Sequence, residues 1–311
     1  MMKVLITGGT GFVGGRLAKR LAEENEVYIS SRRSLDKDTL RLYGKVIPVE
    51  HKSLFNAETF PAVDVVIHLA ALNEWDSVKY PSESIQVNVD ETRIILENSI
   101  IRGVNRFIYF STAHIYGSPL TGKISETTLP QPTHPYSITH RAAEDYVVAA
   151  AKQKRINGIV LRLSNSFGAP VSADVNRWTL LANDLCRQAV EKGKMKLTSN
   201  GCQYRDFICL TDVEDILASM VERKHPLKEI IYNLGSGLPV RVIDLARIIE
   251  KLCVTVLKKN VPVELPAQAK ETKEPRLEFS IDRLLTEGFR INNDINLELE
   301  RLLQFCAEHF K

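Results

Sequence analysis

Apolar positions along this chain fall into two alternating rhythms. Short Val/Ile-rich runs read as buried strands: Lys3 to Thr7, Glu26 to Ser30, Lys45 to Val49, Asp64 to Leu69, Arg106 to Ser111 and Asn157 to Leu163. Between them, helix-period segments run over Phe12 to Glu24, Pro81 to Arg102 and His134 to Lys154. Strands apolar on both faces and separated by helices predict a parallel sheet covered on both sides. The expected fold class is α/β, a doubly wound Rossmann sheet, which binds ligands at the carboxyl ends of its strands. After Gly168 the rhythm breaks. Helices over Arg177 to Lys192, Asp212 to Arg223, Val242 to Leu252 and Leu297 to Phe310 alternate with short strands over Lys194 to Thr198, Asp206 to Leu210 and Ile230 to Leu234. We therefore expect a dinucleotide-binding domain over residues 1–168. A smaller α/β substrate domain over 169–311 would be interleaved with the end of the large sheet.

Composition narrows the class. The 311 residues are 44% hydrophobic and 25% charged, with a net charge of +3 and no basic run. That is ordinary for a soluble enzyme and argues against a nucleic-acid partner. No run of about 18 apolar residues predicts a membrane span. The first apolar run, Val4-Leu5-Ile6, is too short for a signal peptide. Five cysteines without metal-ligand spacing predict reduced thiols, no metal and a cytoplasmic location.

The strongest chemical signal is Gly8-Gly9-Thr10-Gly11-Phe12-Val13-Gly14, between a strand and a helix. Gly8 permits the tight turn, Gly11 admits the pyrophosphate to the backbone, and Gly14 lets helix and strand approach. The free N–H groups at the helix start attract phosphate. The second strand ends Ser30-Ser31-Arg32-Arg33, with no carboxylate to accept the ribose 2′-hydroxyl of NAD. Two guanidinium groups suit a 2′-phosphate, so NADP is expected, with NAD as the alternative.

Four further segments complete the pattern: His68-Leu69-Ala70-Ala71, Ser111-Thr112-Ala113-His114-Ile115-Tyr116-Gly117, Tyr136-Ser137-Ile138-Thr139-His140, and Asn200-Gly201-Cys202-Gln203-Tyr204-Arg205-Asp206-Phe207. With the glycine spacing, these resemble the extended short-chain dehydrogenase/reductase family, whose members mostly modify nucleotide-linked sugars. The resemblance covers nearly the whole chain. It implies Thr112 and Tyr136 as the catalytic hydroxyls, with Ser111 beside Thr112 at the substrate. It implies cofactor contacts from Gly8, Gly11, Phe12, Val13, Gly14, Ser31, Arg32, Arg33, Leu69, Ala70, Ala71, Asn88, Tyr136 and His140. Asn165 and Arg205 are implied as substrate contacts. His68 itself reads as a packed strand-end histidine. In relatives the position four past the tyrosine is lysine, which holds the nicotinamide ribose and lowers the tyrosine pKa. Here it is His140, with an ordinary pKa near ~6.5, so weaker and pH-dependent help to Tyr136 is expected.

Three readings follow. The first is NADP(H)-dependent reduction of a keto nucleotide sugar, at C4. The second is a nucleotide-sugar 4-epimerase using tightly bound NAD. The third is a cofactor- and nucleotide-sugar-binding protein whose activity is low because His140 replaces lysine. Dehydration ranks last, because Ala113 and His114 follow Thr112 where dehydratases carry acids. A homodimer is expected through the two long helices.

Overall fold

The computed structural model describes residues 1–32, 35–268 and 272–310. Seven strands form the main sheet: β1 (Lys3–Thr7), β2 (Glu26–Ser31), β3 (Val46–Glu50), β4 (Val65–His68), β5 (Arg106–Thr112), β6 (Asn157–Leu163) and β7 (Ile231–Leu234). Their order is β7-β6-β5-β4-β1-β2-β3, and every neighbouring pair is parallel. The chain winds outward in both directions from β1 and β4, so the crevice opens at their carboxyl ends. β3 is one of the two edge strands. It tolerates Pro48 and leaves Ile47 exposed, because one side of an edge strand needs no ladder partner.

Helices cover both faces, which is why the central strands carry apolar residues on both sides. On one face, Leu17 and Leu21 of the helix Phe12–Leu21 pack with Val213 and Leu217 of the helix Leu210–Glu222. On the other, Ile95 and Val147 pack from the helices Thr92–Ile101 and Pro135–Lys152. A second lobe has its own core between the helices Leu181–Lys192, Val242–Val256 and Ile295–His309. After residue 168 the chain returns to the main layer as the helix Leu210–Glu222, as β7, and as the short helix Asp282–Thr286 that carries Leu284.

Several boundaries differ from the periodicity. The single helix expected over Pro81 to Arg102 is divided. Pro81–Ile85 and Thr92–Ile101 flank a π-helical turn, Gln86–Glu91. There Thr92 Oγ1 donates to the Asn88 carbonyl, and the Asn88 side chain reaches the next loop. Local side-chain bonds of this kind compete with the regular ladder. The helix expected from Arg177 begins at Leu181: the Arg177 side chain pairs with Glu74, and the Trp178 indole donates back to the Ala173 carbonyl. A further helix, Glu74–Lys79, lies outside the apolar periodicity; Asn73 caps it by accepting from Trp75 and Asp76 N–H. All five cysteines are buried and unpaired.

Candidate active site

The glycine turn is built by close contact. Gly8 adopts φ +67°, and a Cβ there would lie 3.0 Å from the Ala70 nitrogen. A Cβ on Gly14 would lie 2.2 Å from the Gly8 carbonyl oxygen. Gly9, which sequence reasoning passed over, packs against Ile29, whose Cβ would be 2.7 Å away from an added methyl. Gly11 caps the helix Phe12–Leu21 without a side-chain hydrogen bond, and its first turn holds no acid. The helix start therefore keeps N–H groups and partial positive charge for an anion.

This turn forms one end of a cleft of about 890 Å³, within the usual range for a cofactor site. Gly8, Gly11, Phe12, Val13, Gly14, Ser31, Arg32, Leu69, Ala70 and Ala71 line it, together with Ser111, Thr112, Tyr136, His140 and Asn165. Arg33 lies outside the described residues. Two expected residues are not among the lining residues. Asn88 is buried, accepts from Leu72 N–H at 2.7 Å, and donates to Ser84 and Thr139 at 3.3 and 3.0 Å. Its amide therefore ties the loop after β4 to the tyrosine helix. Arg205 is exposed beyond the cleft lining.

His68 is packed as expected of a strand-end residue. Nδ1 and Nε2 meet Thr7 Oγ1 and Thr92 Oγ1 at 2.7 and 2.9 Å, and Thr7 Oγ1 also accepts from Leu69 and Ala70 N–H. Burial, then the nearby His140 and His51, push its pKa down to about 3. It is a neutral peg that sets the backbone approaching Gly8.

At the other end, β5 delivers Ser111 and Thr112, and the helix Pro135–Lys152 delivers Tyr136 and His140 from adjacent turns. The Tyr136 ring stands edge-on to His140, with centroids 4.3 Å apart. Burial raises the Tyr136 pKa well above its ordinary value. The negative charge of Glu74 adds to this, while Arg177 and a hydrogen bond with Thr112 oppose it. His140 is buried, and its Nδ1 lies 2.6 Å from the Tyr109 hydroxyl. Burial pushes its pKa down to about 4; Glu74 pulls upward and Arg177 downward. The expected partial charge at neutral pH is thus corrected: with this pKa the ring is neutral from about pH 5 upward.

Glu74 and Arg177 were not legible as a pair. They come from the start of the helix Glu74–Lys79 and from the segment before the helix Leu181–Lys192, and they join at 2.9 Å on the cleft wall. Burial alone would raise the Glu74 pKa, but the charge and hydrogen bond of Arg177 bring it below the ordinary value. Tyr116, in the segment that follows Thr112, is buried away from Tyr136. It donates to Asn233 at 2.6 Å, accepts from Arg162, and is pushed up to about 12, chiefly by burial. Arg162 forms a buried, two-pronged ion pair with Glu144, clamping the tyrosine helix onto β6.

On the substrate side, Asn165 donates to the Asp206 carbonyl at 2.9 Å. The two acids that could have claimed Arg205 are taken. Asp206 accepts from Ser164 and Ser236, and Asp212 accepts from Asn292 and Asn293 N–H. The Arg205 backbone pairs with Val240, but its guanidinium makes no side-chain hydrogen bond or ion pair with another described residue, and its charge reaches His114 on the cleft wall.

A dinucleotide fits these residues. Ser30 Oγ, Ser111 Oγ and His140 Nε2 are buried without hydrogen-bond partners, and all three residues line the cleft. Orphaned polar atoms of this kind are costly unless a ligand meets them.

Comparison with known proteins agrees with this geometry. A family model described as the NAD dependent epimerase/dehydratase family matches residues 4–235. The dTDP-D-glucose 4,6-dehydratase of Homo sapiens is 28% identical over 265 residues, 79% of this chain and 72% of that protein. UDP-arabinose 4-epimerase 1 of Arabidopsis thaliana is 27% identical over 265 residues, 75% of this chain and 63% of the other. Among solved structures, UDP-glucuronic acid 4-epimerase from Bacillus cereus, in complex with UDP-glucuronic acid and NAD, superposes with a TM-score of 0.82. It is 21% identical, with 99% of this chain and 100% of the other covered, a likeness of fold.

Proposed function

The chain belongs to the NAD dependent epimerase/dehydratase family. We propose that it is a nucleotide-sugar 4-epimerase that works with a retained NAD. The observation that carries this reading is Tyr136 beside Thr112, with no unpaired carboxylate acting on it. Among the described residues, the carboxylate whose charge reaches Tyr136 is Glu74, and Arg177 holds it ionised. Dehydration needs an acid to protonate a leaving hydroxyl, whereas epimerisation needs one proton carrier.

When bound, the dinucleotide supplies the hydride acceptor and donor, and in its oxidised form a pyridinium charge. Tyr136 takes the proton from the sugar 4-hydroxyl and returns it after the keto sugar has presented its other face. Thr112, with Ser111 next to it, holds that oxygen. Arg205 pairs with the diphosphate, and Asn165 lines the sugar pocket. The glycine turn holds the pyrophosphate, and His140 meets the nicotinamide ribose.

The epimerase relatives favour this redox-neutral reaction over the net NADPH-dependent reduction expected from Arg32 and Arg33. Arg32 is exposed, and an exposed ion pair contributes about 0–1 kcal/mol, less than tenfold in affinity. With no acid at the end of β2, NADP binding is tolerated. A homodimer is part of the proposal: Ile85, Ile138 and Tyr146 leave apolar surface exposed on the expected helices. Buried thiols suit a reducing cytoplasm.

The test begins with identifying the nucleotide released from denatured protein. Native protein is then mixed with UDP- and dTDP-sugars in deuterated water, without added cofactor. A 4-epimer with no solvent deuterium in the sugar is expected. NADPH oxidation on a keto sugar, or a 6-deoxy product, would sink the epimerase reading.

A further inference from the structure

The buried hydroxyl of Tyr109 has no part in the reaction just described. Tyr109 lies within β5 and is 2% exposed. Its oxygen is 2.6 Å from His140 Nδ1, while His140 Nε2 is buried and has no partner. We propose that Tyr109 is a positioning residue: it donates to His140 Nδ1 and fixes the ring as the Nε2–H tautomer. His140 then offers an uncharged N–H donor to the nicotinamide ribose diol. The inference rests on the dinucleotide reading above.

Two neutral arrangements share the contact. If the imidazole donated Nδ1–H, the phenol hydrogen would be left without an acceptor in a core of Leu5, Phe107 and Val147. If the phenol donates, each hydrogen is used except Nε2–H, and that one belongs to a residue on the cleft wall. The phenol keeps its proton firmly, because burial, then the charges of Glu144 and Tyr136, disfavour its ionised form. An imidazolium is no better served. Tyr136 faces the ring from its own helix, Tyr109 from β5, and His68 lies near on β4. Glu74 is already paired with Arg177, and Glu144 with Arg162. The pair thus supplies a directed donor without a charge, and orientation of the ribose is separated from activation of Tyr136.

The experiment uses protein labelled with nitrogen-15 histidine, with the His140 ring assigned by its loss in His140→Gln. Long-range proton–nitrogen spectra around neutral pH should show one neutral Nε2–H tautomer. An Nδ1–H tautomer or an imidazolium would overturn the proposal, and this holds even if variants fold poorly. Tyr109→Phe should mix the tautomers and weaken NAD binding about tenfold. In a His140→Lys background, the same change should leave NAD affinity unmoved, since an ammonium needs no tautomer. Equal losses in both backgrounds would assign Tyr109 a packing role only and overturn the proposal. If the protein binds no dinucleotide, the functional reading and the ribose assignment fail. The spectrum still decides the Tyr109–His140 bond.

Discussion

Replacing His140 with lysine puts a charge where the structure holds a neutral ring. The rings of Tyr136 and His140 are 4.3 Å apart, so an ammonium there would sit about 5 Å from the phenol oxygen. At an effective dielectric of about 20, that separation is worth ~3 kcal/mol, or about two pKa units. Glu74 pulls upward and its partner Arg177 downward on a cation at this position, so the ion pair largely offsets itself. In the parent protein burial holds Tyr136 protonated well above its ordinary range. Tyr136 ionisation in His140→Lys should therefore begin about two pH units lower. Its phenolate fraction at a given pH should rise on the order of 10²-fold. The assay is the ultraviolet titration of the variant minus that of its Tyr136→Phe derivative. Single-turnover reduction of bound NAD by the preferred nucleotide sugar follows the same ionisation. If the difference titration superposes on the parent's, or if turnover slows at every pH in an intact protein, the electrostatic account fails.

Four further outcomes follow from particular contacts. His140 has its pKa depressed to about 4 against ~6.5 in the unfolded chain. Its neutral form thus favours folding fully above pH ~6.5, and that stability is lost as pH falls towards ~4. Between pH 7 and 5 the loss is about 2 kcal/mol. Urea denaturation should show a correspondingly shallower pH dependence in His140→Gln, and parallel curves would refute this. Gly14→Ala should abolish tight NAD retention, because its Cβ meets the Gly8 carbonyl oxygen at 2.2 Å; nucleotide analysis of the purified variant reads it. Arg205→Ala should raise KM for the nucleotide sugar about 10- to 100-fold by removing a charge-assisted contact. Bound NAD should be unchanged, and equal loss of both would contradict the separate subsites. Glu144→Gln should cost about 3–5 kcal/mol in chemical denaturation, because it leaves the buried Arg162 charge uncompensated.

The sequence by itself determined the layered fold, because apolar periodicity reports which faces of an element meet the core. β1 and β6 begin and end at the residues the pattern marks. The glycine turn was equally legible, since its geometry excludes side chains locally. So were Thr112, Tyr136 and His140, carried on one strand end and one helical face. What periodicity does not encode is which side chains from distant elements meet. Tyr109 reads as one more apolar residue of β5, yet it faces His140 across 31 positions. Glu74 and Arg177 are 103 positions apart, and no local pattern pairs them. Asn88 sits in a π-helical turn, and its bond to Leu72 N–H spans 16 positions that no local pattern links. Charge state also belonged to the tertiary structure. The cost of a proton on His140 depends on the water its surroundings exclude, and no spacing of residues along the chain records that.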